Sequence, residues 1–529
     1  MTQHYDIIII GTGAGGGTLA RALAGSSARI LLVERGDFVP QEAENWDPEA
    51  VWKHLRYQTQ ELWLDRNGEA FRPYTHYNVG GNTKFWGAVL YRLRREDFQA
   101  VEHMEGLSPG WPVDYDTLEP YYDRAEHLYA VRGQHGIDPT EPARGPFPNE
   151  NVPHSEGMEE IVGRLRGMGL HPAPLPLGIQ RPGETDGCVL CNTCNSFACR
   201  VHAKSEADVV GVRPAMRDGN GRVQLWTNAC ARRLLTDASG RRIVAAEIER
   251  AGRVVRVEAP IVIVAAGAIN SAALLLRSAS DKHPNGLANS SGLVGKRYMA
   301  HLATMMQGFH PLKRNSTVFQ KTVAVNDYYL RGPKTKYPLG SIQSQGRTHG
   351  VMAQTVVPWI PVRAYDWWVA RGVDWLVMSE DLPSESNRVT VAPDGRIQLH
   401  YMPNNLRAHR LLVKETKRIL RRLGFPFIVK HSHGARNTTH QCGTLVFGTD
   451  PATSVLDPFC RAHDIENLFV VDASFFPSSA AVNPGLTIIA QALRVADHIK
   501  SVELRIGQGA SAATLDRAGR DSRRMEITT

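Results

Sequence analysis

No segment of the 529-residue chain approaches the roughly 18 consecutive apolar residues that a membrane-spanning helix needs. Ahead of the first strand-like run there is no basic stretch, no short apolar core and no cleavage site. These absences lead to the expectation of a soluble, cytoplasmic protein with no membrane partner. Long blocks of one charge sign are also missing. The chain has 61 Lys and Arg against 53 Asp and Glu, a net charge of +8 that is small for its length and speaks against a nucleic-acid partner. The small cluster Arg92, Arg94 and Arg95 is read as a solvated face. Cysteine is scarce, seven in all, and four of them crowd into one short stretch, unlike a secreted disulfide framework. Repeats and low-complexity tracts are absent except at the end, where the small and charged residues from about Gly507 lack apolar periodicity and are expected to form a flexible tail, 506–529.

At about three times a typical domain length, the chain is expected to form at least two connected lobes. From Tyr5 to Gly36 it reads as a buried strand, a glycine turn, a small-residue helix and a second buried strand, a βαβ unit. The unbroken run Ile7–Ile10 suits a parallel strand covered on both faces. Two distant pieces match that sheet in texture: Pro260–Ala266 with the helix after Gly267, and Leu468–Asp472 with the helix after Pro484. The expected fold class is α/β, α+β overall, with a Rossmann-like dinucleotide domain and an inserted substrate domain on an antiparallel sheet. The dinucleotide domain would take 1–101, 183–306 and 437–505, and the substrate domain 102–182 and 307–436. Within the latter, the alternation around Asp394-Gly395 predicts an antiparallel hairpin.

Gly11, Gly13 and Gly16 form G-x-G-x-x-G between a strand and a helix start. The first permits a tight turn, the second lets backbone approach a pyrophosphate, and the third lets helix pack on strand. With Ala14 they open a helix N-terminus whose free N–H groups favour negative charge. Glu34, closing the next strand, is placed to accept ribose hydroxyls. The triplet does not separate FAD from NAD. The loop Val79–Gly87 (VGGNTKFWG) adds Gly80, Gly81, Asn82, Thr83 and Gly87, small residues able to lie against a flat ring system.

That loop, together with His440-Gln441-Cys442-Gly443-Thr444, the block Val470–Ser474 and Asn483-Pro484 with Thr487, resembles the glucose-methanol-choline (GMC) oxidoreductases in content and order. The resemblance spans about Tyr5 to Lys500, is sharpest at the two ends, and is nearest to bacterial pyranose oxidases and glycoside 3-oxidases. It implies FAD as cofactor. It also implies that Ala231 binds the cofactor, that Ala266 and Gly267 flank the adenosine half, and that Asp472 and Ala473 lie by the ribityl and pyrophosphate and Asn483, Pro484 and Thr487 by the pyrimidine edge. By the same resemblance, His440 is the catalytic base and Asn483 the partner that donates to the developing alkoxide. Phe85 stands where some pyranose oxidases carry a flavin-linking histidine, so non-covalent FAD is expected, with His76 the residue to check.

Cys188, Cys191, Cys194 and Cys199 form C-x-x-C-x-x-C-x-x-x-x-C. This is read first as a thiol loop or disulfide, with an iron-sulfur or zinc site as alternatives, and no metal ligand is assigned. Gln343, Gln345, Arg347 and Gln354 are candidates for sugar hydroxyls, or simply a polar strand. The expected activity is oxidation of a sugar or glycoside ring hydroxyl to a ketone, with hydride passed to flavin N5 and electrons on to oxygen or another acceptor. The alternative is a dehydrogenase serving a quinone or cytochrome.

Overall fold

The structure is a computed structural model describing residues 3–181, 183 and 187–504. The expected tail therefore lies outside the described residues. Five short parallel strands make the sheet that positions the site, in the order Val223–Trp226, Ile30–Val33, Ile7–Ile10, Ile261–Val264 and Leu468–Val470. Every residue of the three central strands is buried, which is why they read as continuous apolar runs. Helices Ala14–Leu23, Ala268–Arg277 and Gly485–His498 follow three of them. The strand Val223–Trp226 carries no distinctive sequence signal and joins the sheet only through its pairing with Ile30–Val33.

A six-stranded antiparallel sheet forms the second layer, ordered Ala173–Pro174, Val323–Val325, Ser341–Ser344, Gly372–Ser379, Leu302–Phe309 and Phe427–Ser432. Its strand Leu302–Phe309 runs straight across residue 306. The hairpin around Asp394-Gly395 is formed by Arg388–Val391 and Ile397–His400. Instead of joining the large sheet, it extends a small one through a pairing with Trp63–Leu64. Helix Tyr115–Leu128 packs on Gly485–His498, with the Tyr122 hydroxyl 2.8 Å from that of Thr487. The layers are thus interleaved along the chain.

Arg92 and Arg94 correct the expectation of a solvated face. Both are buried, Arg92 against Glu126 and Arg94 against Asp138, while Arg95 alone is exposed and pairs with Asp116. A buried guanidinium needs such a fork of carboxylate oxygens to offset its desolvation. Among the described residues no helix is long and apolar enough to cross a membrane.

At the C-terminal ends of the parallel strands the backbones nearly touch. A Cβ at Gly15 would overlap the Val471 carbonyl oxygen, and one at Gly11, which sits at φ +103°, would overlap that of Ala265. Gly15→Ala is expected to force the Leu468–Val470 strand end away, costing at least about 1–3 kcal/mol. Thermal melting and the flavin-to-protein absorbance ratio check this; an unchanged melting temperature with full flavin loading would contradict the packing.

Candidate active site

The glycine turn, the Gly81–Gly87 loop and the C-terminal segment all open onto one cavity of about 1010 Å³. At the glycine turn, a Cβ built on Gly13 meets no protein atom within 4 Å, so the backbone there is bare to the cavity. Gly13 is also the N-cap of Ala14–Leu23 and supplies no side-chain cap, which leaves the first N–H groups of the helix available to a phosphate. Glu34 closes its strand and lines the same space. Its carboxylate accepts from the Thr12 backbone at 3.2 Å and from Gly36 N–H at 3.1 Å, and burial pushes its pKa up from the ordinary value. Thr12, which sequence reasoning passed over, ties the turn to the next loop: its hydroxyl donates to Glu34 and accepts from Gly80 N–H at 3.0 Å.

The loop over the cavity is held from beneath. Gly80 and Gly81 both have positive φ, and Gly81 packs against the Cα of Gly13. Buried Lys84 pairs with Glu206 and Asp208, and buried Lys204 donates to the carbonyls of Lys84, Trp86 and Phe197. These bonds cross-link the loop to the cysteine-bearing stretch. All seven cysteines are free thiols, so no disulfide closes that stretch. Burial raises the Cys188 thiol to about 12 and also raises Cys194 and Cys199, which keeps them protonated and unreactive. Among the described residues no group of three or more His, Cys, Asp or Glu is arranged to hold a metal ion.

Of the expected cofactor residues, Gly11, Gly13, Ala14, Glu34, Gly81, Asn82, Thr83, Gly87, Ala231, Ala266, Gly267, Asp472, Ala473, Asn483 and Pro484 line the cavity. Gly16, Gly80 and Thr487 do not. Gly16 lies against the Gly11 carbonyl, Gly80 against Asp208, and the Thr487 hydroxyl is engaged by Tyr122. Asp472 also staples two strand ends, accepting from Gly267 N–H at 3.0 Å, from Ser474 N–H at 2.9 Å and from the Ser271 hydroxyl.

His440 and Asn483, 43 positions apart in the chain, meet on the wall of the same cavity, with His440 Nε2 3.5 Å from Asn483 Nδ2. His440 has φ +50°, and burial, reinforced by His301, His433 and Lys321, holds its pKa well below 6.5. It is therefore a neutral imidazole at neutral pH. Gln343 is fully buried and donates to Asn483 Oδ1 at 3.0 Å, which turns the Asn483 N–H bonds toward His440. Gln343 therefore orients Asn483 and does not line the cavity; Gln345 and Arg347 do line it, and Gln354 instead donates to the Ile360 carbonyl. A neutral imidazole nitrogen and an amide donor on one wall can remove a hydroxyl proton and hold the resulting oxyanion. His301 and Lys321 had no signal in motif or spacing, and Gln343, a candidate for sugar hydroxyls, turns out to bond Asn483 instead; only contacts across the fold reveal these roles.

Bare backbone at a helix N-terminus, a buried acid and a neutral imidazole beside an amide on one cavity suit a dinucleotide-dependent oxidoreductase acting on a hydroxyl. Comparison with known proteins gives the same class. Family models described as GMC oxidoreductase match residues 5–303 and 383–492. Paromamine 6'-oxidase of Streptomyces fradiae is 31% identical over 515 residues, 93% of this chain and 90% of that protein. The fructose dehydrogenase large subunit of Gluconobacter japonicus is 27% identical, covering 94% of this chain and 98% of its own. The crystal structure of pyridoxine 4-oxidase from Mesorbium loti superposes with a TM-score of 0.67 at 18% identity, covering 94% of this chain and 99% of the other. This chain belongs to the GMC oxidoreductase family: it is an FAD-dependent oxidoreductase of CH–OH donors.

Phe85 is buried and its ring stacks at 3.9 Å on His76, whose pKa burial lowers to about 4; both line the cavity. A phenyl ring offers no atom for a flavin bond, so acid precipitation is expected to leave the yellow colour in the supernatant. Colour retained in the pellet, and lost from it on His76→Ala, would reassign the attachment to His76.

Proposed function

We propose that the chain oxidises a hydroxyl of a sugar or aminosugar to the carbonyl, with His440 as the base and Asn483 as the oxyanion partner. The observation that carries this reading is the His440–Asn483 pair on the wall of the cavity that also holds the bare glycine turn. Bound FAD supplies the hydride acceptor, held by the glycine turn, the Gly81–Gly87 loop and the Asp472–Ala473 segment. His440 Nε2 takes the hydroxyl proton as the C–H bond breaks, and the Asn483 amide donates to the oxygen. Under this reading the parallel-sheet lobe holds the cofactor and the antiparallel sheet closes the substrate side, where Met305 and Leu376 give an apolar wall and Arg347, His431 and His433 a polar one. That mixture suits a polyhydroxylated ring, apolar on its faces and polar at its edge. The relatives named for paromamine, 6'''-hydroxyparomomycin C and fructose support the substrate class. We place the attack at a ring hydroxyl, as in glycoside 3-oxidases, with oxygen or another acceptor taking the electrons. A primary hydroxyl is the second reading, favoured by the relative named as a 6'-oxidase.

Anaerobic stopped-flow reduction of the bound flavin by glucose, glucosides, fructose and paromamine tests the proposal. His440→Ala is expected to slow reduction by about 10²- to 10⁴-fold while the protein stays yellow. Asn483→Ala should cost about 10²- to 10³-fold. Wild-type rates within threefold in the His440 variant would sink the assignment. Product NMR separates the two positions: a ketone marks ring oxidation, an aldehyde the primary hydroxyl.

The pH dependence carries a defined sign. A base must be unprotonated, and burial depresses the His440 pKa, so reduction should remain at its plateau as pH falls through 6.5 and decline only further down. An acid limb centred at or above 6.5 would mean that another group is being titrated.

A further inference from the structure

His301 has no place in the reading above, yet it is in direct contact with the base. It is buried, and its Nδ1 lies 2.9 Å from Nδ1 of His440, with the two rings at 85°. Its other nitrogen, Nε2, lies 3.0 Å from the carbonyl oxygen of Ser479. A carbonyl only accepts, so Nε2 of His301 carries the hydrogen. A neutral imidazole has one N–H, which leaves Nδ1 of His301 as a lone pair. The facing Nδ1 of His440 must then be the donor, and the lone pair of His440 falls on Nε2, the atom that faces Asn483.

The reverse arrangement would need His301 to be doubly protonated or would set a lone pair against the Ser479 carbonyl. Burial opposes the first by lowering the His301 pKa, and the second is repulsive. The charged and titratable groups facing the pair are Glu380, His433 and Lys321. Glu380 already accepts from the Ser108 hydroxyl at 2.5 Å and lies 3.0 Å from His103 Nε2, while the Lys321 ammonium is tied to the Gly87 carbonyl and to Asn195 Oδ1. The Ser479 carbonyl is itself fixed: its residue's Oγ takes Asp381 N–H at 3.1 Å, and the neighbouring Ser478 Oγ takes the Trp111 indole N–H at 2.8 Å. Four residues further on, the same segment carries Asn483.

We propose that His301 is a positioning residue that reads the Ser479 carbonyl and holds His440 as the Nδ1–H tautomer, so that Nε2 is the proton acceptor. This rests on the reading of His440 as the base. During turnover the substrate O–H bond breaks, an N–H bond forms at Nε2, the hydride leaves carbon for FAD, and the Nδ1 hydrogen stays on His440 and donates to His301. The segment Ser478–Asn483 thereby sets both members of the pair, one through an imidazole and one directly.

The test compares His301→Leu, which removes both polar atoms, with His301→Gln, whose amide retains one acceptor and one donor. FAD-loaded enzyme is reduced anaerobically from pH 5 to 9 by whichever sugar of the panel reduces the wild type fastest. The Leu variant is expected to lose about 10- to 10²-fold in reduction rate and to show a displaced acid limb, because the group that faces His440 Nδ1 has gone. The Gln variant should stay within about fivefold of the wild type with the limb unmoved. Equal losses in both variants would point to packing and overturn the proposal, as would a Leu variant within threefold of the wild type with an unchanged profile. If the Leu protein does not retain flavin, the Gln variant decides alone: a tenfold or larger loss, or a moved limb, overturns the proposal. His440→Ala is measured in parallel. Collapse there with intact His301 variants removes only the positioning role, whereas wild-type reduction in His440→Ala removes the base reading itself.

Discussion

Everything at the site depends on how closely three strand ends approach one another. The Val471 carbonyl presses on Gly15 and the Ala265 carbonyl on Gly11, at separations that leave no volume for a methyl group. Because these contacts are backbone to backbone, no side-chain rearrangement can relieve a substitution there. They bring residues 11–15, 265–267 and 471–473 to one edge of the sheet, at the carboxyl ends of the strands, where the open end of a parallel sheet binds ligands. Asp472 then bonds the second strand end to the third.

Electrostatics follow from the same burial. The cavity wall carries neutral imidazoles, because burial lowers the pKa of His76, His433 and His440. The charges around it are committed elsewhere: Lys84 to Glu206 and Asp208, and Lys204 to backbone carbonyls. The loop facing the cavity is thus held by buried ion pairs on its far side and exposes small residues on its near side. His440 therefore presents an uncharged imidazole to the cavity at neutral pH.

Much of this was legible in the chain. The parallel strands Ile7–Ile10, Ile261–Val264 and Leu468–Val470 are continuous apolar runs because both faces are covered, and the glycine triplet stands where a turn and a helix start require it. Other features were not legible. Arg92 and Arg94 look like surface charges until Glu126 and Asp138 close around them. The hairpin at Asp394-Gly395 was plain from its alternation, but its partner strand, Trp63–Leu64, lies more than 300 residues away and shares no pattern with it. Gly15 escaped notice because it falls between the motif positions, although it makes the tightest approach of the turn.

By itself the sequence determined the local conformations: which runs become buried strands, where the chain turns on glycine, and which helix opens toward a phosphate. These follow from side-chain shape, apolar periodicity and the φ that each residue tolerates, all properties of neighbours in the chain. Only the tertiary structure decided which polar groups face one another. The His301–His440 contact, the Gln343–Asn483 bond and the engagement of Thr487 by Tyr122 join residues 139, 140 and 365 positions apart. Hydrogen-bond partners and tautomers depend on angstrom-scale distances between distant segments, and these exist only once the sheets have packed.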